Sequence, residues 1–132
     1  MSRKHCAGVI VEKNNKILLF KRNFKPSKNK LDLVGGFIEK KESIKQAAVR
    51  EAREETGYNV KLIEKLISLD SFEREEKTLH IFIAKIIDGK LDNSIEGESV
   101  WLDINDIKKD VLAFPHTYKI LKKYLEYRNF KK

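Results

Sequence analysis

Cysteine and histidine are scarce in this chain, and long apolar runs are missing altogether. Cys6 is the only cysteine, so no disulfide can form within the chain, and we expect a reducing compartment, the cytoplasm. The three histidines and this cysteine show no zinc-ligand spacing, which argues against a zinc site. No apolar run approaches the roughly 18 residues needed to cross a bilayer, so we expect no membrane association.

The composition is that of one globular domain over residues 1–132, with 41% hydrophobic and 36% charged residues. The net charge of +8 suits small polyanionic ligands, nucleic acid, or solubility alone. A basic segment without an intervening acid precedes two glycines; its cations are Lys21, Arg22, Lys25, Lys28 and Lys30. We expect Arg22 to contact substrate phosphates, and the alternative for each lysine is a solvated loop.

Hydrophobic periodicity predicts an α/β sandwich. Strands are expected at residues 5–12 and 16–22, joined by a hairpin at Asn14-Asn15, and a short strand at 31–34. Beyond a helix at 44–56, residues 59–70 and 78–87 are rich in β-forming residues, 71–77 form a charged turn, and 98–102 form a short strand. Residues 104–109 suggest a helical turn, and Pro115 opens a final helix.

The helix at 44–56 carries three glutamates where an apolar face is expected. At about 100° per residue from Ile44, Glu51 lies near −20°, Glu55 near +20° and Glu54 near −80°, so the carboxylates continue the apolar stripe. Crowded carboxylates on such a face need a cation or strong hydrogen-bond donors. A divalent metal ion is the simplest answer, and ligation by oxygen alone favours Mg²⁺ or Mn²⁺ over zinc. The alternative is a solvated helix face with surface ion pairs.

Signals on both sides of these glutamates define the surrounding unit. Ser43 with Gln46 forms a capping box, and Gly57 is placed to end the helix. Upstream, Gly35 and Gly36 interrupt the apolar run at 31–39, which predicts a strand that enters a tight loop. Glycine at these positions lets the main chain approach a ligand.

The spacing across this unit resembles the signature of the Nudix hydrolases at residues 36–58. Gly36 is followed after five residues by Glu42, then after seven by Arg50-Glu51-Ala52, and then by Glu54-Glu55 and Gly57. The resemblance implies a Nudix-type α/β/α sandwich with a mixed β-sheet between helices. It also implies an enzyme, a pyrophosphohydrolase that cleaves a phosphoanhydride bond in a nucleoside diphosphate linked to another group.

The resemblance further implies a role for each residue of the motif. Glu51, Glu54 and Glu55 would hold Mg²⁺, with Mn²⁺ as an alternative, and the main-chain carbonyl of Gly35 would be a further ligand. Gly36 would lie against the substrate. Arg50 would orient the carboxylates with Glu42 as its ion-pair partner, and the alternative is an exposed pair with Glu54. The general base stays open among four carboxylates, which are Glu54, Glu55, Glu96 and Glu98.

The sequence leaves several substrates open. Family members that favour ADP-ribose often carry a proline about fifteen residues past the motif, and those that favour dinucleoside polyphosphates a tyrosine, whereas residues 72–75 are Phe-Glu-Arg-Glu. A nucleoside or deoxynucleoside triphosphate is therefore the default, followed by ADP-ribose or a nucleotide sugar. Alternatives are a non-catalytic module that binds nucleotide or RNA and an RNA 5′-end pyrophosphohydrolase. The sequence contains no indication of an oligomeric state.

Two aromatic residues are candidates for nucleobase stacking. Trp101 and Phe114 both have the ring needed for it, but we expect core packing for each. His116, beside Pro115, is expected to be a helix-start residue rather than an acid or base.

Replacing Glu54 or Glu55 by glutamine tests the carboxylate hypothesis. We expect each variant to lose most turnover at saturating Mg²⁺ while keeping its fold, because these side chains provide charge rather than packing. Rates are measured alongside circular dichroism. Wild-type rates in both variants would contradict the hypothesis.

Overall fold

Eight strands and two α-helices make up residues 3–72, 76–92 and 97–131, the part of the chain that this computed structural model describes. The strands are β1 (Lys4–Ile10), β2 (Glu12–Lys13), β3 (Lys16–Arg22), β4 (Leu31–Asp32), β5 (Val34–Phe37), β6 (Tyr58–Ser71), β7 (Lys77–Gly89) and β8 (Gly97–Asp103). The helices are α1 (Ile44–Thr56) and α2 (Pro115–Lys131), and short 3₁₀ turns span Ile104–Asp106 and Lys109–Val111. Neither α-helix is long and apolar enough to cross a bilayer within this described part.

The predicted hairpin at Asn14-Asn15 is confirmed. Lys13 lies opposite Lys16, and the two asparagines between them have φ of 53° and 63°, as a two-residue type I′ turn requires. The strand expected over residues 5–12 is interrupted at Val11, whose carbonyl accepts a hydrogen bond from the Leu18 N–H at 3.0 Å. The chain therefore leaves one sheet after β1 and enters a second one at β2.

The two sheets differ in their pairing. The first has the order β5-β1-β7-β6, in which β1 and β7 are parallel and the other pairs antiparallel, so the expected mixed sheet is confirmed. The second sheet is antiparallel, contains β2, β3 and β4, and pairs β8 with β3. The strands predicted at 16–22 and 98–102 correspond to β3 and β8, whereas β2 and β4 were not predicted as separate strands, nor was the separate sheet that they join.

Alternating side chains separate the core into two layers. Val9 and Phe82 belong to the cluster that includes the buried alanines of α1, whereas Ile10, Ile81 and Ile83 pack with α2. The predicted α/β/α sandwich is confirmed by this arrangement. The alanines of α1, which are Ala47, Ala48 and Ala52, are at most 1% exposed. Small side chains thus bring this helix close to the sheet.

A partly buried ion pair joins α2 to the hairpin. The Arg128 Nε donates to both carboxylate oxygens of Glu12 at 2.7 and 2.8 Å, and the Tyr124 hydroxyl donates to Glu12 at 2.7 Å. Burial, followed by this hydrogen bond to Glu12, raises the pKa of Tyr124 well above its ordinary value. Because the phenol stays protonated, it remains a donor at any physiological pH.

Two imidazoles meet on the α1 side of the mixed sheet, and they predict a dependence of stability on pH. The His80 Nε2 lies 3.0 Å from the His5 Nδ1, and the His80 Nδ1 lies 3.0 Å from the Ser68 hydroxyl. Burial lowers the pKa of His80, and the neighbouring Lys65 and His5 lower it further. The folded state therefore binds a proton at His80 less readily than the unfolded chain does.

We expect the free energy of unfolding to fall as the pH drops below about 6.5, the ordinary value for histidine in an unfolded chain. His80→Gln keeps a neutral hydrogen-bonding side chain and should make this dependence shallower. Urea unfolding of the wild-type protein and of the variant, each at pH 7.5 and pH 5, measures how much stability each loses between the two pH values. The contributions of the other titrating groups cancel when the two losses are compared. An equally steep loss of stability in the variant would contradict the assignment.

Candidate active site

The acidic helix begins and ends as its capping signals predict. The Ser43 hydroxyl accepts a hydrogen bond from the Gln46 N–H at 3.0 Å, and the Gln46 side chain accepts one from the Ser43 N–H at 2.9 Å. At the other end, Gly57 has φ of 83° and its N–H donates to the Arg53 carbonyl at 2.9 Å. These caps fix the register of the helix and hence the directions of its glutamates.

Two of the glutamates lie against successive glycines of β5. The Glu55 carboxylate is buried, at 8% residue exposure, and accepts a hydrogen bond from the Gly35 N–H at 2.7 Å. Glu51 lies beside Gly36, where a Cβ would stand 2.6 to 2.7 Å from the Glu51 carboxylate atoms. The contact is possible only because Gly36 has no side chain.

The glycines belong to a strand, which corrects the expected tight loop. Gly35 and Gly36 pair with β1 opposite Gly8 and Ala7, and the predicted strand at 31–34 divides into β4 and β5. A Cβ at Gly35 would lie 2.6 Å from the Gly8 Cα and closer still to the Ala7 carbonyl. The glycines are thus needed for close approach on both faces of β5 rather than for a turn.

Glu54 takes a different position from the other two glutamates. Its side chain is 57% exposed and accepts from the Arg50 Nη1 at 3.0 Å. The expectation that all three carboxylates continue the apolar stripe is therefore wrong for Glu54, whose angle near −80° lies farther from the centre of the stripe than the angles of Glu51 and Glu55. Within the described residues, no three Asp, Glu, His or Cys side chains already form a group able to hold a metal ion.

Arg50 links the acidic residues into one network. Its Nε and Nη2 donate to the two Glu42 carboxylate oxygens at 2.6 and 3.0 Å, and its Nη1 donates to Glu51 at 2.9 Å. Hydrogen bonds from Arg50, and then from the Glu39 N–H, lower the pKa of the Glu42 carboxyl. Glu42 in turn raises the pKa of Arg50, so the expected pair is present and fully charged.

Arg22 is held at the mouth of the site by three contacts. Its Nε donates to the Pro26 carbonyl at 2.9 Å, its Nη1 lies 3.8 Å from an Asp32 carboxylate oxygen, and its guanidinium lies 5.2 Å from the Phe114 ring centre. The other cations of the basic segment have different surroundings. Lys30 donates to the Asp110 carbonyl, and Lys21 lies 3.8 Å from Glu98.

Glu98 is not brought to the other carboxylates. Successive side chains of β8 point to opposite faces of the strand. The hydroxyl of Ser99, the residue after Glu98, donates to the Glu55 carbonyl at 3.1 Å. Glu98 therefore lies on the opposite face of the strand, toward Lys21. Glu96, the other predicted loop acid, lies outside the described residues, as do residues 73–75 of the substrate-marker region. The identity of the general base stays a prediction.

Two clefts adjoin β5. The carboxylate cleft, of about 500 Å³, is lined by Glu51, Glu55, Gly35, Gly36 and Arg22, among others. The aromatic cleft, of about 200 Å³, also has Phe114, His116, Cys6 and Ile81 in its lining. Arg22 and the two glycines line both clefts, so the clefts meet along the strand and beside this cation.

The aromatic candidates divide between core and cleft. Trp101 packs against the core on the α1 side, edge to face with Tyr58 at 6.4 Å, as expected. Phe114 was expected in the core but lines the aromatic cleft, stacked on His116 at 5.2 Å between ring centres. Asp32 is a cleft residue that the sequence analysis missed. Its signal was a lone acid between two leucines, ahead of the glycines.

The residues present are suited to a divalent cation. All the candidate donors are carboxylate or carbonyl oxygens, the ligands that Mg²⁺ and Mn²⁺ prefer. Two of the carboxylates are already directed at the backbone of β5, and Gly36 leaves the space that the Glu51 carboxylate occupies. The predicted ligands, Glu51, Glu54, Glu55 and the Gly35 carbonyl, have the right chemistry for such an ion, and their role as ligands stays a prediction.

Comparison with known proteins agrees with this geometry. The sequence profile of the NUDIX domain matches residues 2–124. The ADP-ribose pyrophosphatase of Methanocaldococcus jannaschii is 39% identical over 127 residues, covering 91% of this chain and 72% of that protein. The putative 8-oxo-dGTP diphosphatase of Bacillus subtilis is 37% identical over 84 residues, 62% and 52% of the two chains. The crystal structure of a NUDIX hydrolase from Nitrosomonas europaea superposes with a TM-score of 0.88 at 31% identity, and the match covers 98% of this chain and 74% of that one.

Alanine at Gly36 tests the contact between β5 and Glu51. The three atoms nearest to the new methyl group all belong to the end of the flexible Glu51 side chain, so the fold should survive while the carboxylate is displaced. We expect Mn²⁺ affinity, measured calorimetrically, to fall about tenfold with little change in the unfolding midpoint.

Gly35→Ala is the matched control. Its methyl group meets the backbone of β1, so we expect a loss of stability of about 2 kcal/mol. Equal loss of stability in the two variants, or unchanged Mn²⁺ affinity in Gly36→Ala, would contradict the assignment.

Proposed function

The chain belongs to the Nudix hydrolase family, and from this membership we propose that it hydrolyses ADP-ribose, in a reaction that depends on Mg²⁺. The observation that carries the substrate is the 39% identity, over 91% of the chain, to an ADP-ribose pyrophosphatase. Sequence markers alone favoured a nucleoside triphosphate. A relative that aligns along nearly the whole chain is the stronger guide, because the substrate contacts of this fold come from several distant segments.

The proposed reaction breaks one P–O bond of the diphosphate with one water molecule. The products are AMP and ribose 5-phosphate, and the proton of the water passes to a general base. When bound, the divalent ion supplies Lewis-acid chemistry to the diphosphate and to the attacking water. Glu54 and Glu55 are our proposed candidates for the base. Glu98 stays a candidate, although its side chain is directed to the other face of β8.

The remaining residues position these groups. Arg50 donates to Glu51 and Glu54 while Glu42 holds its guanidinium from the other side, so Arg50 sets the directions of both carboxylates. The Gly35 N–H holds the Glu55 carboxylate. Arg22 lies where the two clefts meet, and we assign it to the phosphate oxygens, since a guanidinium suits phosphate geometry.

A deoxynucleoside triphosphate is the second candidate substrate. It is favoured by the 37% identity to the putative 8-oxo-dGTP diphosphatase, a likeness that spans 62% of this chain. Both substrates present a phosphoanhydride to the same carboxylates and differ in the groups attached to it. An RNA 5′ end presents the same bond, and the net charge of +8 is compatible with it.

A substrate screen tests the proposal. We expect kcat/KM for ADP-ribose to exceed that for nucleoside triphosphates, including 8-oxo-dGTP, by at least about tenfold, with AMP and ribose 5-phosphate as products. Activity should disappear with a chelator and return with Mg²⁺. The screen includes 5′-triphosphorylated RNA at two salt concentrations, because RNA recognition through phosphates weakens steeply with salt. Preference for a triphosphate would overturn the ADP-ribose assignment.

A further inference from the structure

We propose that a third cleft, where β5 ends, binds one nucleotide of a single-stranded nucleic acid. This outer cleft has a volume of about 570 Å³, within the range of small-molecule sites. The proposal goes beyond the proposed function, because it adds a polymeric ligand instead of choosing among small substrates. The residues that line the outer cleft belong to the start of the chain, to the end of β5 and to the start of α1, and they are Arg3, Lys4, His5, Phe37, Ile38 and Ile44.

The lining of the outer cleft combines an apolar surface with positive charge. One aromatic and two aliphatic side chains form the apolar part, and Arg3 and Lys4 are the cations. Among the described residues, no aspartate or glutamate lines the outer cleft, whereas Glu51 and Glu55 line the carboxylate cleft. A nucleobase offers an apolar face and its phosphate a negative charge, so a nucleotide matches both parts of this lining.

Phe37 provides the surface on which a base would stack. The residue is 44% exposed, and the Lys4 and Lys77 ammonium nitrogens lie 5.5 and 5.8 Å from its ring centre. The two lysines are direct partners on the parallel strands β1 and β7. Two cations therefore flank one exposed aromatic ring. This pairing of a stacking surface with cations for the phosphates is typical of proteins that bind single strands.

The backbone around this ring is held by hydrogen bonds to two other segments. The Phe37 carbonyl accepts from the Arg50 Nη2 at 3.1 Å, and the Ile38 N–H donates to the His5 carbonyl at 3.0 Å. Arg3 is engaged by Glu76 at 2.5 Å, so we assign the phosphate contacts to Lys4 and Lys77. A platform that is already ordered loses less conformational entropy when a ligand binds.

The outer cleft is continuous with the two clefts already described, which favours a ligand longer than a mononucleotide. Phe37 lines all three clefts, and Ile38 lines both the outer and the carboxylate cleft. The diphosphate of a small substrate is assigned to the carboxylates and Arg22, so the outer cleft offers additional contacts to a strand that extends past them. The net charge of +8 suits such a polyanion, since each neutralised phosphate adds to the affinity.

The test is the binding of labelled oligonucleotides of about twelve residues, measured by fluorescence anisotropy over a range of salt concentrations. Oligo(U) and oligo(dT) are used, because the stronger of the two identifies the polymer as RNA or DNA. Both have 5′-hydroxyl ends, and no metal is added, so the carboxylates meet no phosphoanhydride. We expect binding that weakens steeply with salt. No measurable binding of either oligonucleotide would overturn the proposal.

The double variant Lys4→Gln with Lys77→Gln tests the phosphate contacts. We expect its affinity to fall at least about tenfold at low salt, and the slope of log K against log salt to fall by about 1.4, since each lost contact removes about 0.7. Lys122→Gln with Lys123→Gln is the matched control, because it removes the same charge from the exposed face of α2. Equal losses in the two double variants would contradict the assignment to the outer cleft.

Phe37→Leu tests the stacking surface, because leucine keeps an apolar side chain and removes the ring. We expect oligonucleotide affinity to fall about tenfold, the size of one stacked base, with an unchanged salt slope. Phe130→Leu is the control, since Phe130 is 86% exposed near the end of α2 and lines none of the three clefts. Equal affinity in Phe37→Leu and Phe130→Leu would contradict the role of Phe37.

These measurements are independent of the proposed function, because oligonucleotide binding needs neither metal nor turnover. If the oligonucleotides bind through Phe37 and the two lysines while ADP-ribose is not hydrolysed, the outer cleft stands and the ADP-ribose assignment fails. If ADP-ribose is hydrolysed and no oligonucleotide binds, the outer cleft fails and the ADP-ribose assignment stands.

Discussion

The hydrogen bond from the Gly35 N–H to the Glu55 carboxylate is the constraint around which the site is organised. A carboxylate at 8% exposure has lost most of its hydration, and without a donor its burial would cost several kcal/mol, by an order-of-magnitude estimate. The backbone amide of β5 supplies the donor at 2.7 Å. The same bond holds α1 against the strand along which the two clefts meet. Packing of α1 on the sheet and placement of the Glu55 carboxylate therefore depend on the same contact.

Small residues make this close approach possible on both sides of β5. Ala47, Ala48 and Ala52 bring α1 down onto the sheet, and Gly36 leaves room for the Glu51 carboxylate. Larger side chains at these positions would separate the helix from the strand. The acidic turn of α1 and the strand backbone would then no longer present their oxygen atoms to the same space. Packing therefore decides which carboxylates can act together.

Charge compensation explains why Glu51 and Glu54 are stable beside Glu55. Arg50 donates to both of them, and Glu42 binds the same guanidinium through two hydrogen bonds. A planar guanidinium has enough donors to serve several carboxylates at fixed angles, which an ammonium group lacks. The network places Arg50 between Glu42, Glu51 and Glu54, while Glu55 takes its donor from the Gly35 N–H. Carboxylate oxygens of this kind are the ligands that a hard divalent cation prefers.

Local signals in the sequence were sufficient for the elements and for much of the acidic helix. The capping box at Ser43 and the left-handed Gly57 set the helix bounds, and the angular positions of the glutamates placed Glu55 correctly on the inward face but not Glu54, which is exposed. The prediction wrongly assigned Gly35 and Gly36 to a loop because the contacts that require glycine there come from residues distant in the sequence. They face Gly8 and Ala7 of β1 on one side and Glu51 on the other, contacts that no pattern within residues 31–39 contains.

The aromatic cleft could not be predicted for the same reason, since Ser27 and Ala113, which are bonded beside it, are 86 residues apart in the sequence. The bond from Ser27 to Ala113 joins the basic loop to the segment that carries Phe114, and the bond from Arg22 to Pro26 lies within the loop. Arg22 and Phe114 are therefore positioned as a pair, whereas the carboxylates of α1 are positioned by β5 and Arg50. A change in the basic loop would therefore alter the positions of Arg22 and Phe114 together. The carboxylates of α1 would keep their own contacts with Arg50 and β5.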